Sequence, residues 1–387
     1  MNSLLILVII LLSLYIALYI TGPLLIFFHE LGHAIAILIL TNPNKIDLYI
    51  GSYGDNSSKL NFSIGKLYFH VNPALSIKTG GMCSTEKMAN NYTKTIIILL
   101  AGPLFTIVLS CILGFFVFNE GLHSAIEFYF CCLIVSAFIG LWTDLVPGTI
   151  KEHNLYNDGK LIAFTYRIRH VFADYLLARQ HLLKEKNDEG IIKLRALITL
   201  FPYEEILIRQ LIAPLILTKQ FDEARAQLLK LKSFTEFTID DYTYMGYLQI
   251  LSDQNNEAEA SFNSALEMNT NHPIALNNLG YVLVLLENYE EAKKYLEKAI
   301  KINPNLAEAY NNLGKLKLLT NLLEEGKTLI EKSIVLNPEN ADAYKNLGIY
   351  YSKVKNIELA RFNYDKALKL DNSLLLEDYK EQFIQKT

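Results

Sequence analysis

The chain has 387 residues, a formal net charge of −4 and four cysteines. This length suits two domains or more, and the small net charge without a basic stripe argues against a nucleic-acid-binding protein. The cysteines lack paired CxxC spacing, and three of them lie in apolar segments, so neither a disulfide framework nor a zinc ribbon is indicated. Uncharged apolar stretches dominate up to about residue 145, and beyond about residue 165 the sequence is charged and helix-forming.

The first apolar stretch runs from Leu4 to about Leu40 and is interrupted only at Thr21-Gly22-Pro23. As one helix it would be about 55 Å long, which exceeds the ~30 Å hydrocarbon core of a bilayer. We predict one membrane span over about residues 4–40, kinked at 21–23, because proline removes a helix hydrogen bond there. A hairpin of two spans is the alternative, but its two-residue turn would leave backbone groups unsatisfied in lipid.

Within this stretch lies His29-Glu30-Leu31-Gly32-His33, and Glu30 is the only charged residue among the first 44. An ionisable side chain at the bilayer centre costs roughly 2.5–3.5 kcal/mol or more, so it indicates a function. On a helix, histidines four residues apart share one face and can bind one zinc ion. Glu30 is then placed to act as general base toward a water molecule. The competing interpretation, two polar histidines facing a helix bundle, leaves Glu30 unexplained.

The segments KIDLYIGSY and KLNFSIGKLYFHV, between residues 45 and 72, alternate polar and apolar residues, which predicts a small β insertion. Two further uncharged stretches, 95–118 and 126–143, are predicted to form a hairpin of membrane spans. Six lysines lie between the first and second spans, and the hairpin returns the chain to the same side at Lys151. The positive-inside rule predicts that this side is cytoplasmic.

A catalytic zinc site needs three protein ligands and an open position, so the two histidines lack a third. After the last span come Asp144-Leu145-Val146-Pro147, then His153, then Asn157-Asp158-Gly159. Any of Asp158, His153 and Asp144 supplies a suitable donor atom. Together with Ala101-Gly102-Pro103-Leu104-Phe105, these motifs make about residues 1–165 resemble the site-2 protease family of intramembrane metalloproteases. The Gly80-Gly81 pair is a weaker match to that family.

The resemblance implies that Asp158 joins His29 and His33 as metal ligands, that Zn²⁺ is the cofactor and that Glu30 is the catalytic residue. The chain departs from the family pattern at two asparagines, which are replaced by Thr106 and Asp144, and these replacements bear on substrate positioning. The gap from Pro147 to Asp158 is also longer than in the family, which leaves His153 and Asp144 as rival ligands. The implied substrate is a membrane-embedded or membrane-associated protein or peptide.

The C-terminal half repeats itself. Gly246, Gly280, Gly314 and Gly348 follow one another at intervals of 34 residues. A 34-residue unit with small residues where two helices cross is typical of tetratricopeptide repeats. We predict an α-solenoid over about 166–375, with four clear repeats over about 239–375 after two degenerate ones, and a capping helix over 376–387. Such a solenoid presents a groove for a peptide or partner protein.

The predicted fold class is mainly α: a polytopic helical membrane domain (1–165) with a small β insertion, followed by the solenoid. We expect a multi-pass protein of the cell membrane, a zinc metalloprotease, whose cytoplasmic repeat domain binds a substrate or partner. One alternative is a catalytically degenerate, membrane-anchored tetratricopeptide scaffold. A less favoured alternative is a membrane zincin with a glutamate as third ligand.

Overall fold

The computed structural model describes residues 3–54, 60–72, 80–87, 89–120, 124–153, 155–372 and 374, with the side chains of all of them except 3–20, 125 and 152. It divides into two compact units, Met1–Thr218 and Lys219–Thr387. The capping helix predicted over 376–387 lies outside the described residues, as do two of the six lysines, Lys59 and Lys78. The chain is mainly helical.

The first unit contains seven of the described helices and all of the described strands. In chain order its elements are α1 (Ser3–Thr41), β1 (Ile46–Ile50), β2 (Leu60–Ile64), β3 (Leu67–Val71), β4 (Gly81–Thr85), α2 (Tyr92–Asn119), α3 (Ser124–Leu145), β5 (Thr149–Ile150), β6 (Leu155–Tyr156), α4 (Asp158–Arg167), α5 (Phe172–Leu183), α6 (Asn187–Leu200) and α7 (Glu205–Leu217). A short 3-10 turn, Lys151–His153, separates β5 from β6.

Three helical segments among the described residues are long and apolar enough to span a membrane, namely Thr21–Thr41, Tyr92–Asn119 and Ile126–Leu145. Helix α1 has 39 residues and continues through Thr21-Gly22-Pro23 without a turn, so the fold does not agree with a hairpin of two spans there. Helices α2 and α3 expose large apolar side chains such as Phe115, Phe116 and Trp142. Apolar surface of this kind suits a lipid environment better than water.

Small residues bring α1 and α2 into close contact. A Cβ atom on Gly32 would lie 2.5 Å from the Ala101 carbonyl oxygen and 3.0 Å from the Gly102 Cα atom. A Cβ atom on Gly102 would in turn collide with the imidazole of His33, 2.7 Å from its Cε1 atom. The HELGH turn of α1 therefore packs directly against the AGP turn of α2, with no room for a side chain at either glycine.

A four-stranded sheet of order β2-β3-β1-β4 packs beside α1. Strand β1 is parallel to β3 and antiparallel to β4, whereas β2 and β3 form an antiparallel pair. The buried side chains of Ile46, Leu48 and Ile50 on β1 share a core with Ala34 and Ile37 of α1. Strand β4 was not among the predicted strands, because its sequence, GMCST, lacks the polar–apolar alternation that marks β1 to β3.

The second unit consists of successive helices. They are α8 (Phe221–Lys232), α9 (Ile239–Ile250), α10 (Asn255–Met268), α11 (Pro273–Leu285), α12 (Tyr289–Ile302), α13 (Ala307–Leu319), α14 (Leu323–Leu336), α15 (Ala341–Lys353) and α16 (Ile357–Leu370). From α9 onward they form four pairs, and in each pair a glycine of the first helix faces a large side chain of the second. A Cβ atom on Gly280 would lie 2.6 Å from Leu296 Cγ, and one on Gly348 would lie 2.7 Å from the Tyr364 ring.

A left-handed residue lies in the turn that follows each of α5, α7, α9, α11, α13 and α15. These residues have φ between 55° and 63°, follow one another at intervals of 34 residues, and are Glu185, Lys219, Asp253, Glu287, Asn321 and Lys355. None is glycine, although a left-handed backbone costs an ordinary residue about 1 kcal/mol. The turns after α5 and α7, in the two degenerate repeats, thus have the same backbone conformation as the turns of the four clear repeats.

Replacing Gly32 with alanine is expected to lower the thermal unfolding temperature of the detergent-solubilised protein. The new methyl group would meet a backbone oxygen that cannot rotate away, and overpacking of this kind costs about 1–3 kcal/mol. The control is Gly22→Ala in the same helix, where nothing lies within 4 Å of the added Cβ atom. Alanine favours a helix over glycine by about 1 kcal/mol, so the control should hold or raise the temperature. Equal behaviour of the two variants would contradict the close α1–α2 contact.

Candidate metal centre

Three potential ligand atoms meet where α1 faces the start of α4. His29 Nε2 lies 3.0 Å from His33 Nε2 and 3.0 Å from Asp158 Oδ2, and His33 Nε2 lies 3.2 Å from Asp158 Oδ2. Across the described residues, no other group of histidine, cysteine and acidic side chains has the spacing to hold a metal ion. Two ligands about 2.0–2.1 Å from a tetrahedral zinc ion lie about 3.3 Å apart, so the three atoms are close to zinc-ligand spacing.

The other ring nitrogen of each histidine faces an acceptor. His33 Nδ1 donates to the Ile98 carbonyl oxygen at 2.7 Å, and His29 Nδ1 lies 3.3 Å from Asp144 Oδ2. A carbonyl oxygen can only accept, so His33 Nδ1 carries a proton, and His29 Nδ1 carries one if it donates to Asp144. In its neutral form each ring then presents a lone pair at Nε2. Three acceptor atoms therefore face one another, and a cation or a shared proton is needed between them. Metal-binding histidines have this outer hydrogen bond almost always.

Asp158 opens helix α4 and is fixed by its neighbours. Its Oδ2 atom lies within hydrogen-bond distance of the Nε2 atoms of both histidines. A Cβ atom on the next residue, Gly159, would collide with the Leu145 carbonyl, so the glycine lets α4 begin directly against the end of α3.

Asn157 holds the start of α4, a role that the sequence analysis did not assign. Its Oδ1 atom accepts hydrogen bonds from the backbone N–H groups of Lys160 and Gly148. Its Nδ2 group donates to the carbonyls of Thr143 and Val146. The side chain therefore joins the end of α3 to the turn that carries Asp158. Asparagine before a helical segment is a common N-cap, and that pattern was the signal available in the sequence.

Glu30 is buried beside strand β4, because a Cβ atom on Gly81 would lie 2.7 Å from Glu30 Oε1. Glu30 and the three-ligand cluster line a cavity of about 500 Å³, whose wall also includes Thr106. The Thr106 hydroxyl donates to the Gly102 carbonyl at 2.9 Å, so it is hydrogen-bonded within its own helix. The resemblance to site-2 proteases implies an asparagine at this position. Threonine has a shorter side chain, and its hydroxyl is already hydrogen-bonded.

The rival third ligands lie elsewhere. The His153 ring packs on Tyr53, with 4.5 Å between the ring centroids. Asp144 contacts the Nδ1 atom of His29 and so supports the ring from outside the cluster. Among the described residues that line the cavity, Glu30 is the only glutamate, and it follows the first histidine directly. Of the candidates, Asp158 is the one whose carboxylate meets both Nε2 atoms.

A row of side-chain amides runs along the first helices of the repeats. Asn312 Nδ2 donates to Asn277 Oδ1, and Asn346 Nδ2 donates to Asn311 Oδ1, both at 2.9 Å. These bonds link α11 to α13 and α13 to α15. Asn277, Asn311 and Asn346 are buried, so the row ties successive repeats to one another.

A lysine and a tyrosine accompany this row of amides. Lys315 Nζ lies 5.0 Å from the centroid of the Tyr281 ring. Burial, aided by the charge of Lys345, lowers the pKa of Lys315. A half-buried cation thus lies on α13, one helix of the amide row.

Comparison with known proteins identifies the repeats. Models of the tetratricopeptide repeat match residues 273–306, 307–340 and 329–362, all within the second unit. No curated protein matches the chain. The family models confirm tetratricopeptide repeats in the C-terminal region.

Several solved structures resemble the chain. YrrB, described as a TPR protein with an unusual peptide-binding site, is 24% identical, covers 49% of this chain and 98% of its own, and has a TM-score of 0.33. MamA 41-end from Desulfovibrio magneticus RS-1 is 23% identical over 44% of this chain and 96% of its own, with a TM-score of 0.34. A thermophilic TPR protein of Thermus thermophilus, TTC0263, is 16% identical over 47% and 97%, with a TM-score of 0.41.

Replacing Asn157 with alanine is expected to destabilise the protein by more than the about 1 kcal/mol of an ordinary N-cap, because the bonds to α3 are lost as well. Asn157→Asp keeps the acceptor oxygen but loses the Nδ2 group that donates to Thr143 and Val146. Its loss of stability should therefore be smaller than that of Asn157→Ala. Asn91→Ala is the control, since Asn91 caps α2 by accepting from the Lys94 backbone N–H. Thermal unfolding in detergent measures all three, and equal losses for Asn157→Ala and Asn91→Ala would rule out the bridging role.

Proposed function

We propose that this chain is a zinc-dependent intramembrane endopeptidase whose repeat domain recruits the substrate or a partner protein. One observation supports the proposal. Potential ligand atoms of His29 and His33, on the apolar helix α1, meet the carboxylate of Asp158 at the start of α4, and Glu30 is buried beside them. The resemblance of residues 1–165 to site-2 proteases agrees with it. The tetratricopeptide repeats are a module for protein interaction, and their specific ligand in this chain belongs to the proposal.

In the proposed reaction, His29, His33 and Asp158 hold Zn²⁺, and Ile98 and Asp144 keep the two imidazoles oriented. When bound, Zn²⁺ supplies a Lewis acid that acidifies water and polarises a peptide carbonyl. Glu30 accepts the proton from the attacking water and transfers it to the leaving amine. The apolar faces of α1, α2 and α3 keep bulk water away from the buried glutamate.

A membrane-spanning substrate hides its amides in helical hydrogen bonds and must unwind before cleavage. Among the described strands, β1 and β3 lie inside the sheet. Within 46–72, β2 is therefore the described strand that forms an edge of the sheet. The edge that borders the cavity is β4, through Gly81, Met82 and Cys83. We therefore assign the pairing of an unwound substrate strand to β4 rather than to the predicted 46–72 region.

We further propose a multi-pass protein of the cell membrane with its repeat domain in the cytoplasm. Three lysines gather around the C-terminal end of α1, where helix carbonyls carry a partial negative charge. Lys94 Nζ donates to the Leu40 carbonyl at 3.0 Å, Lys87 Nζ to the Asn42 carbonyl at 3.3 Å and Lys66 Nζ to Asn42 Oδ1 at 2.7 Å. Lysines at the end of a span are typical of its cytoplasmic side.

A membrane-anchored tetratricopeptide scaffold without catalysis is the second candidate. It is favoured by the family matches, which all lie in the repeats, and by Thr106 and Asp144 in place of the two family asparagines. Both candidates use the repeats to bind a protein. They differ in whether the three-ligand cluster binds zinc.

Elemental analysis of the detergent-purified protein separates the two candidates. The parent is expected to carry one zinc ion per chain, and Asp158→Ala and the double variant His29→Ala/His33→Ala are expected to lose it. Glu30→Gln should keep the metal, because the proposed base is not a ligand. The control Asp174→Ala changes an aspartate that pairs with Lys193 on α6, and it should keep zinc as well.

Each remaining outcome has a definite meaning. Zinc retained in Asp158→Ala would move the third ligand to Asp144 or His153. A folded parent that takes up no zinc after reloading would leave the scaffold as the function.

A further inference from the structure

Helix α4, which begins with Asp158, is joined at both ends to the start of α7. Near its first turn, the Lys160 ammonium group forms an ion pair with Glu205. In its last turn, Arg167 Nε lies 3.0 Å from Glu204 Oε2. Both helices belong to the first compact unit, so these contacts lie within one body together with the three-ligand cluster.

Helical geometry places these ion pairs opposite the cluster. At 100° per residue, positions 160 and 167 are about 20° apart around the helix axis, so they share the face toward α7. Position 158 is about 200° from position 160, on nearly the opposite face. Helix α4 therefore lies between the histidines of α1 on one side and the two glutamates of α7 on the other.

The pair formed by Lys160 and Glu205 is partly buried. The exposed fractions of the two side chains are 13% and 16%. Lys160 also donates to the Thr149 hydroxyl on β5, and its Nζ atom lies 5.0 Å from the centroid of the Tyr156 ring on β6. The ammonium group is thus held from three directions, and its direction relative to the backbone of α4 is fixed.

Glu205 is held in turn by Arg209, one turn further along α7, whose side chain is 5% exposed. Burial acts to raise the pKa of Glu205, but the hydrogen bond from Lys160 and the charge of Arg209 lower that pKa by more. The carboxylate is therefore charged at neutral pH. Glu205 thus shares its charge between two cations, and a neutral side chain at position 205 would remove the carboxylate that both contact.

We infer that Lys160, through its ion pair with Glu205, is a positioning residue that sets the rotation of α4 and aims the Asp158 carboxylate at the two histidines. This inference rests on the proposed zinc site. It gives α7, the first helix of a degenerate repeat, a part in supporting the metal centre. The earliest repeats then serve the membrane domain, in contrast to the amide row on α11, α13 and α15.

The test measures zinc affinity by competition with a chromogenic chelator, and the absorption spectrum of the Co²⁺-substituted full-length protein in detergent. Lys160→Met is expected to weaken zinc binding by at most about 10-fold, the lower end for groups bonded directly to a ligand, because Lys160 acts through the helix, and to shift the cobalt bands. Glu205→Gln removes the negative charge and keeps the shape of the side chain. It should weaken zinc binding and shift the cobalt bands in the same way. Lys160→Arg should restore most of the affinity.

Lys193→Met is the matched control. It removes a lysine whose Nζ atom lies 2.8 Å from Asp174 Oδ1, an exposed pair between α5 and α6 in the same unit. Its zinc affinity and cobalt spectrum should equal those of the parent. If Lys160→Met does not fold, Glu205→Gln decides the question.

Two further results would overturn the inference in different ways. Parent-like zinc affinity and cobalt bands in Lys160→Met or Glu205→Gln, with zinc still lost in Asp158→Ala, would reject the positioning role alone. A parent without zinc, or zinc retained in Asp158→Ala, would reject the proposed site and this inference together.

Discussion

With both imidazoles neutral, the lone pairs of His29 Nε2, His33 Nε2 and Asp158 Oδ2 repel one another across 3.0–3.2 Å, and the surrounding elements hold the three atoms together against that repulsion. Gly32 and Gly102 bring α1 and α2 into contact, and the Ile98 carbonyl fixes the tautomer of His33. The capping of α4 keeps the carboxylate in place. Such repulsion is stronger in a medium of low dielectric constant than in water, so a cation at the centre relieves more free energy within an apolar helix bundle.

The repeat half of the chain has two parts that share a turn but differ in surroundings. Helices α5 to α7 belong to the same compact unit as the three-ligand cluster, and α7 is almost wholly buried. The later pairs form a separate unit, and their first helices carry the row of asparagine amides. One helical architecture thus packs within the first unit in its early members and forms a unit tied together by side-chain amides in its later ones. This difference agrees with family models that match only residues 273–362.

Patterns with a fixed period were predictable from the sequence, and contacts between distant residues were not. The apolar spans, strands β1 to β3 and the 34-residue repeats follow from periodicity, and the structure contains elements at those places. Strand β4 has no alternation, so its pairing with β1 depends on tertiary context. The sequence left Asp158, His153 and Asp144 open, because chain order cannot show which donor meets both histidines. The ion pair between positions 160 and 205 joins residues whose side chains carry no local sign of a partner.

The left-handed turn residues have a consequence for how this chain can change in length. Because the same backbone conformation returns every 34 residues with glutamate, lysine, aspartate or asparagine in it, the turn does not depend on one side chain. A deletion or duplication that begins at one of these positions and ends at the next keeps every helix paired with a helix of the same type. From α9 onward the solenoid can therefore gain or lose whole helix pairs, whereas a change by a single helix would leave one helix without its counterpart.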